Sequence, residues 1–318
     1  MKPTLFAGVL LGTLSASSVF ASTINTTDMM ASFNVITLGA LDSSSETEGT
    51  VYVGGSLTTS GYGVNNDRLK EGTVGGITGS LIVGGSVTGS INVQTGAVRI
   101  GGSNTATINQ NGTGSVQFGV SGIPTGDVTA AFRKLSTDLA ARSDTPGAEA
   151  RADDENDLTV ISGIGGSDGV AVVRGSSALV STGTFKGVQT STGSRADIPT
   201  IVNIPGETVR IGANFNETLS NVLFNFYEAT TLDIDRAFNY SILAPFASVT
   251  STGGGTNGVV VAGSLTQRNE FRPIDGERLF DGFPPDAGQA TAPVPVPAPA
   301  LLLGFALAAL GFGVRKRS

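Results

Sequence analysis

The sequence Val-Tyr-Val-Gly-Gly-Ser-Leu at residues 51–57 decides the fold, because it joins two short apolar segments through a pair of glycines. Similar units occur at residues 81–87 (LIVGGSV) and 98–103 (VRIGGS), and looser copies at residues 172–176 and 259–265. β-Branched residues favour strands, and glycine can turn sharply because it tolerates positive φ angles. Repeated units of this kind predict short strands that stack as the coils of a single-domain β-solenoid.

The predicted turns between strands are the three glycine pairs: Gly54, Gly55, Gly84, Gly85, Gly101 and Gly102. The pairs begin at positions 54, 84 and 101, so their spacing along the chain is irregular. We therefore expect imperfect coils that are interrupted by insertions.

The composition excludes several classes of site. Of the 318 residues, 39% are hydrophobic, which is enough to build a core. The chain contains no cysteine and no histidine, which excludes disulfides, cysteine nucleophiles, Ser-His-Asp triads and histidine-bound zinc. The net charge of −7 argues against nucleic acid as a partner. We expect no cofactor and no metal site.

The two ends of the chain have the composition of export and anchoring segments. Residues 1–21 combine Lys2, an apolar stretch and a small residue at Ala21, which is typical of a signal peptide cleaved after Ala21. Residues 284–299 form a proline-rich, extended linker. The apolar run at residues 300–314 precedes Arg315, Lys316 and Arg317, which predicts a short membrane-anchor helix with its basic end in the cytoplasm.

Residues 22–283, between these segments, are predicted to form one mainly β domain with a single lateral helix. In residues 127–142 the apolar side chains recur at helical spacing, and Asp127 occupies the position of an N-cap. We expect the helix to cover a face of the solenoid. Residues 61–72 and 144–157 are polar and are predicted to be loops.

Two aspartates support an alternative, enzymatic hypothesis. Asp233 and Asp235 alternate in a predicted strand, so both carboxylates would face one side at a separation of about 6.5–7 Å. Paired carboxylates carry out glycoside hydrolysis, so such a pair on a β-helix could cleave a polysaccharide. The interpretation that we favour is a solvated strand face in a protein that is not an enzyme.

Calcium and ice are two further candidate ligands. The acidic run at residues 153–157 offers oxygen ligands, but its spacing does not match an EF-hand loop, and we interpret it as an acidic loop. Binding to ice requires a flat and regular array of threonines. The threonines of the glycine-rich region are not evenly spaced along the sequence: Thr58, Thr59, Thr78, Thr88, Thr105 and Thr107.

Two parts of the chain resemble the choice-of-anchor A family of bacterial surface proteins. Residues 33–39 (FNVITLG) and 48–55 (EGTVYVGG) resemble the opening of that family, and residues 242–245 (ILAP) and 257–264 (NGVVVAGS) resemble its closing signature. Family members often carry a histidine near the closing signature, where this chain has the sequence NEFR. The tail at residues 294–318 is similar to a VPLPA-type PEP-CTERM sorting signal, through Val294, Pro295, Val296, Pro297 and Ala298.

This resemblance implies an exported protein of a Gram-negative bacterium, displayed at the cell envelope or surface or released outside the cell. The sorting tail would be recognised by an exosortase, a membrane peptidase, and would lie in the inner membrane. The implied domain is an adhesive β-solenoid similar to ice-binding β-helices with one lateral helix. We therefore expect a non-enzymatic adhesin for surfaces, biofilm matrix or exopolysaccharide. A polysaccharide-active enzyme and an ice-binding protein remain the alternatives.

Overall fold

The computed structural model of the protein describes residues 24–65, 69–152, 157–193, 197–215, 218–274 and 280. The predicted signal peptide with Ala21, the linker, and the sorting tail from Val294 to its basic end lie outside the described residues. In the described ranges, no helix has both the length and the apolar character that are needed to cross a membrane.

Short strands dominate the described residues, which also form three helices. The helices are α1 (Thr26–Ser32), α2 (Thr125–Ala141) and α3 (Ala178–Ser181). The strands that precede α2 are β1 (Val35–Thr37), β2 (Leu41–Ser43), β3 (Glu46–Thr47), β4 (Val51–Val53), β5 (Leu57–Val64), β6 (Gly72–Val74), β7 (Ile77–Gly79), β8 (Leu81–Val83), β9 (Val87–Val93), β10 (Val98–Ile100), β11 (Thr107–Gln110) and β12 (Val116–Phe118).

The strands that follow α2 are β13 (Glu149–Ala152), β14 (Asp157–Ile161), β15 (Ala171–Arg174), β16 (Thr184–Gln189), β17 (Thr200–Asn203), β18 (Thr208–Ile211), β19 (Asn214–Phe215), β20 (Val222–Asn225), β21 (Thr231–Ile234), β22 (Ser241–Ser251), β23 (Thr256–Asn257), β24 (Val260–Gln267) and β25 (Phe271–Arg272). The prediction of a mainly β chain is therefore confirmed.

Most strands pair in parallel and form ladders. The first ladder has the order β15–β17–β20–β22–β24–β1–β4–β8–β10–β12. The second has the order β18–β21–β22–β24–β2–β5–β9. A third joins β23, β25, β3, β5, β9 and β11, and a separate sheet has the order β13–β14–β16–β19. Among the described strands, only the pairs β13–β14 and β6–β7 are antiparallel.

The chain enters the first ladder in its middle. Strand β1 pairs with β24 on one side and with β4 on the other. From β1 the chain advances to β12 at one end of the ladder. Helix α2 follows, and β15 begins the opposite end of the ladder, from which the chain returns strand by strand to β24. The first and last coils are therefore neighbours in the structure.

The glycine pairs lie at the corners that follow the strands of the first ladder. The expected reason for glycine at these corners, a positive φ angle, is wrong. None of these six glycines has a positive φ. The corners instead stack on each other: the N–H of Gly85 donates to the carbonyl of Gly55 at 2.8 Å, and that of Gly102 donates to the carbonyl of Gly85 at 3.0 Å. A Cβ atom on Gly85 would lie 2.6 Å from the Gly55 carbonyl oxygen. Glycine is required here because neighbouring backbones approach closely.

The middle strands of the first ladder are buried on both of their sides. In β4, Val51 and Val53 face the interior enclosed by the ladders, whereas Tyr52 faces outward, and all three side chains are fully buried. The outward layer packs against α2. Strands that are covered on both faces consist of continuous apolar residues, which explains the runs of valine, isoleucine and leucine in the repeated units.

Helix α2 is the predicted lateral helix, with two corrections. It spans Thr125–Ala141, so it begins two residues before the predicted start. Asp127 lies in its first turn, where a negative charge is favourable, and is not the N-cap. The buried side of the helix contains the apolar residues that have helical spacing: Val128, Ala131, Phe132, Leu135 and Leu139.

A buried hydrogen-bond network fixes α2 on the first ladder. Asn203 in β17 and Asn225 in β20 are paired in register. The Asn225 Nδ2 donates to the carbonyl of Ser136 at 2.9 Å and to Oδ1 of Asn203 at 2.8 Å, and the Ser136 hydroxyl donates to Oδ1 of Asn225 at 2.6 Å. The Asn203 Nδ2 donates to the carbonyl of Leu139 at 2.9 Å. Such a network favours one position of the helix, because any shift would leave buried polar groups unpaired.

Both predicted loops contain strands. Residues 61–64 belong to β5, and residues 149–152 form β13, which pairs with β14. The segment at residues 72–79 forms the antiparallel hairpin of β6 and β7. This hairpin is inserted between two successive coils, which explains the long interval between the glycine pairs that begin at 54 and 84.

The stacked corners lead to a stability prediction. We expect Gly85→Ala to lower the free energy of unfolding by about 2 kcal/mol or more, because the added methyl group meets rigid backbone. The matched control is Gly126→Ala in α2, where a Cβ atom meets nothing within 4 Å and alanine favours helix. Urea unfolding measures both variants. Equal stability of Gly85→Ala and the wild type would contradict the requirement for glycine at this corner.

Candidate binding surface

Hydroxyl side chains form an array on the outer side of the β5–β9 pair and of the coil that follows it. Three successive coils each contribute three residues, and all nine side chains are exposed or half-buried. We call this array the hydroxyl grid: Ser56, Thr58 and Ser60; Ser86, Thr88 and Ser90; Ser103, Thr105 and Thr107. None of the nine residues is charged.

One row of the grid consists of the serines that follow the glycine pairs. The hydroxyl of Ser103 donates to the hydroxyl of Ser86 at 2.9 Å. The N–H of Ser86 donates to the hydroxyl of Ser56 at 3.2 Å, and the N–H of Ser103 donates to that of Ser86 at the same distance. The stacking of the glycine corners therefore continues directly into this row.

The other two rows follow from the strand register. Thr58 pairs with Thr88, and Ser60 pairs with Ser90, in the β5–β9 ladder. The two threonine hydroxyls of the first pair are 3.5 Å apart. Ser90 pairs in turn with Thr107 of β11. Because neighbouring strands are about 4.8 Å apart and alternate residues about 6.7 Å apart, the grid has the spacing of a two-dimensional lattice.

Charged residues bound the grid on one side. Asp42 pairs with Thr58 in register, at the position that the next threonine of the row would occupy. Both carboxylate oxygens of Asp42 accept from Arg268 at 3.0 Å. The hydrogen bond from Arg268, together with its positive charge, holds the pKa of the Asp42 carboxyl below its usual range. The uncharged part of this face therefore begins at the coil of β5.

Two of the threonines considered from the sequence do not belong to the grid. Thr59 is buried, and its hydroxyl donates to the carbonyl of Ser90 at 3.3 Å. Thr78 lies in the β6–β7 hairpin, where its hydroxyl is 2.8 Å from that of Thr73. The other four (Thr58, Thr88, Thr105 and Thr107) are brought together, although they are unevenly spaced in the sequence.

A signal for the grid is present in the sequence. The glycine pairs continue as GGSLT at residues 54–58, GGSVT at 84–88 and GGSNT at 101–105. Each unit places a serine and a threonine two residues apart, so that an extended chain directs both side chains to the same side. The evenness of the array becomes apparent only when these units are aligned with each other and the inserted hairpin is ignored.

The paired aspartates of the enzymatic hypothesis have separate surroundings. Asp233 is half-buried in β21, in register with Arg210 and Thr250. Asp235 follows the end of that strand, and Nε of Arg210 donates to its carboxylate. The strand that was expected to hold both carboxylates therefore ends before the second one, which is engaged by an arginine.

The acidic run lies largely outside the described residues, which resume at Asp157. That residue forms a 3.0 Å ion pair with Lys186. Across the part of the chain that the structure describes, no cluster of three or more acidic, histidine or cysteine side chains could hold a metal ion.

The boundary of the grid leads to a prediction about pH. We expect Arg268→Gln to raise the pKa of Asp42 towards its usual value, because the charged donor is lost. In the native protein the folded pKa lies below the unfolded one. The ion pair therefore stabilises the fold above the unfolded pKa, and this contribution is lost as the pH falls through the folded pKa. NMR titration of the Asp42 carboxyl measures the change. The control is Arg210→Gln, because Arg210 pairs with Asp235 and not with Asp42. An equal rise of the Asp42 pKa in that variant would contradict the role of Arg268.

The comparisons with known proteins identify a family and several solved structures, including two ice-binding proteins. A family model described as "Putative Ice-binding-like adhesive domain" matches residues 26–273. The chain is similar to an ice-binding protein from the Antarctic ascomycete Antarctomyces psychrotrophicus, with 12% identity over 77% of this chain and 96% of the other, and a TM-score of 0.31. It is also similar to a glycosylated ice-binding protein from an Arctic yeast, with 13% identity over 80% and 94% of the two chains and a TM-score of 0.33. No curated protein matches the chain.

Proposed function

Because the chain belongs to the family of ice-binding-like adhesive domains, we propose that it is a non-enzymatic β-solenoid adhesin whose hydroxyl grid contacts the bound surface. The observation that carries this proposal is the grid itself. In a chain with a net charge of −7, three adjacent coils present a face of nine hydroxyl residues without a charge.

The chemistry of the grid favours a repetitive, uncharged ligand. Each hydroxyl both donates and accepts hydrogen bonds, as sugar hydroxyls do. The side chains are short and are held by the strand ladder, so binding would immobilise few rotatable bonds. A neutral polysaccharide with regularly repeated hydroxyls meets these conditions. We infer that exopolysaccharide or the biofilm matrix is the ligand class.

A second candidate function is binding to ice. The specific observation in its favour is that Thr58 and Thr88 are paired in register. The uneven spacing of the threonines along the sequence therefore does not argue against a regular array in the folded protein. Ice is also an extended lattice of hydrogen-bonding oxygens. Both candidate functions use the same surface and differ in the ligand.

The absence of catalysis is part of the proposal and has chemical support. The chain has no histidine and no cysteine. In addition, Asp235 of the candidate carboxylate pair is engaged by Arg210. A polysaccharide would therefore be bound without being cleaved.

The location of the protein is likewise proposed from its sequence. The signal peptide would direct export, and the choice-of-anchor A resemblance with its PEP-CTERM-type tail favours display at the envelope of a Gram-negative bacterium. In this proposal an exosortase recognises the motif at residues 294–298, while the apolar run and Arg315–Arg317 hold the chain in the inner membrane.

The test of the binding surface is Thr88→Lys, which places a long cation at the centre of the grid. We expect at least tenfold weaker binding to insoluble neutral polysaccharides such as cellulose and chitin, equivalent to about 1.4 kcal/mol. The matched control is Thr208→Lys, an exposed strand threonine in β18 outside the grid, which should bind like the wild type.

Thermal hysteresis of the same variants separates the two candidate functions. Ice-growth inhibition that is lost only in Thr88→Lys, without any polysaccharide binding by the wild type, would favour ice as the ligand. Unchanged binding by Thr88→Lys would contradict the role of the grid in both. Release of soluble sugar from any substrate would contradict the non-enzymatic assignment.

Anchoring requires its own test. We expect deletion of residues 294–318 to move the protein from the membrane fraction to the periplasm or medium, because both the sorting motif and the apolar run are removed. Fractionation and immunoblotting measure the distribution. Deletion of residues 286–292, which shortens the linker alone, is the control. A truncated protein that stays in the membrane fraction would refute the anchoring role.

A further inference from the structure

We propose that the β12 end of the first ladder pairs with the same end of a second copy of this chain, so that the protein forms a closed dimer. This interaction surface is distinct from the hydroxyl grid. It consists of β12 together with the last coil that leads to it, and we call it the open end.

The hydrophobic interior reaches solvent at the open end. Val98 and Ile100 of β10 face the interior, and they pair with Val116 and Phe118 of β12. Strand β12 therefore adds one more layer to the stacked interior side chains of the first ladder. Ile100 is fully buried, whereas Phe118 is 55% exposed, the highest value among the large hydrophobic residues that the structure describes. Val116 and Phe118 therefore cover the last layer of the core, but nothing in the described residues covers Phe118 in turn.

The strands at the open end also have free edges. In the described pairings, β12 is bonded only to β10, and β11 only to β9. Proteins usually protect such edges with charged residues, proline or β-bulges, or by keeping the edge strand very short. Residues 100–123 contain no charged residue and no proline, and neither pairing has a register shift. Strand β12 is short, at three residues. Its edge nevertheless lacks charge, proline and a bulge and lies next to exposed apolar side chains, which suits strand pairing.

The opposite end of the stack is covered. Strand β13 pairs with the outer edge of β14. At β15, the N–H of Thr145 donates to the carbonyl of Val172 at 2.8 Å, and the N–H of Val172 donates to the Thr145 hydroxyl at 2.9 Å. Leu179 and Val180 of α3 are buried in the interior core. The edge of β15 is therefore occupied by Thr145, which hinders head-to-tail stacking on the first ladder.

Charge argues for a second copy as the occupant. Two chains that each carry a net charge of −7 repel each other over most of their surfaces. Residues 100–123 at the open end carry no charge. The neighbouring cation, Arg99 of β10, donates to the carbonyl and the hydroxyl of Ser115. The two copies can therefore approach at β12 with less repulsion than elsewhere on their surfaces. A two-fold axis would bring the edge of β12 against the identical edge in the antiparallel direction, centred on Gln117. Because the far ends are covered, assembly would stop at two copies.

The dimer would join two adhesive surfaces. The third coil of the grid, with Ser103, Thr105 and Thr107, belongs to the same coil as the open end. Each dimer would then present two grids to one extended ligand, and binding through both would raise the apparent affinity. This consequence rests on the proposed function, but the dimer itself does not.

Sedimentation velocity of the full-length chain over a range of concentrations tests the dimer. We expect a monomer–dimer equilibrium in the wild type that is at least tenfold weaker in Phe118→Asp, because each copy would place a buried carboxylate in the contact. The matched control is Ile164→Asp, which removes a hydrophobic residue of similar exposure (49%) elsewhere, and it should dimerise like the wild type. Circular dichroism verifies that both variants are folded.

A second measurement uses the absence of cysteine from the chain. Under oxidation, Gln117→Cys should form a disulfide-linked dimer, because the two copies of residue 117 meet at the two-fold axis, whereas Ser167→Cys on an exposed turn should not. A wild type that stays monomeric, oligomers larger than two, or dimers that persist in Phe118→Asp would each overturn the proposal. A Gln117→Cys variant that forms a disulfide with another protein, and not with a second copy of itself, would show that a different partner binds the edge of β12. None of these readouts depends on ligand binding.

Discussion

The close axial approach of successive backbones is the constraint on which the structure depends. In a parallel ladder each coil lies about 4.8 Å above the previous one. At the corners this distance leaves no room for a Cβ atom, since one on Gly102 would lie 2.6 Å from the carbonyl carbon of Gly85. The glycine pairs therefore keep the hydrogen bonds continuous from strand into corner. The side chains that follow are stacked by the same bonds, which is why the serine of each GGS unit lies above the serine of the previous coil.

Burial of the middle strands of the first ladder on both sides explains the rest of the architecture. Its outward side chains require a cover, and α2 provides one while it carries the chain back towards the other end of the stack. The network of Ser136, Asn203 and Asn225 then selects a single position for the helix. Because the chain enters the ladder in the middle, β1 completes the contact with β24. The N-terminal and C-terminal halves of the ladder are therefore joined in its middle by β1 and β24, which are distant in the sequence.

Regular stacking has two consequences for binding. On the outer side of the β5–β9 pair and of the coil that follows it, stacking converts a short sequence unit into a lattice of hydroxyls, which suits a repetitive ligand. At the last coil it leaves the same backbone bonds without a partner, beside the exposed ring of Phe118. The two ends of the first ladder differ: Thr145 hydrogen-bonds to the edge of β15 at one end, whereas the edge of β12 at the other end has no described partner.

The sequence by itself determined the mainly β class, the strand–glycine–strand units, the lateral helix and the exclusion of histidine and cysteine chemistry. These features are local, since propensity and the alternation of side chains act within one segment. Only the tertiary structure decided which strands are neighbours, because β1 pairs with β24 across more than two hundred residues. It likewise decided that Thr58 and Thr88 adjoin, because the hairpin between them lies outside the stack. The glycine positions were predictable, but their reason was not: close approach is a property of two coils, and a single coil does not reveal it.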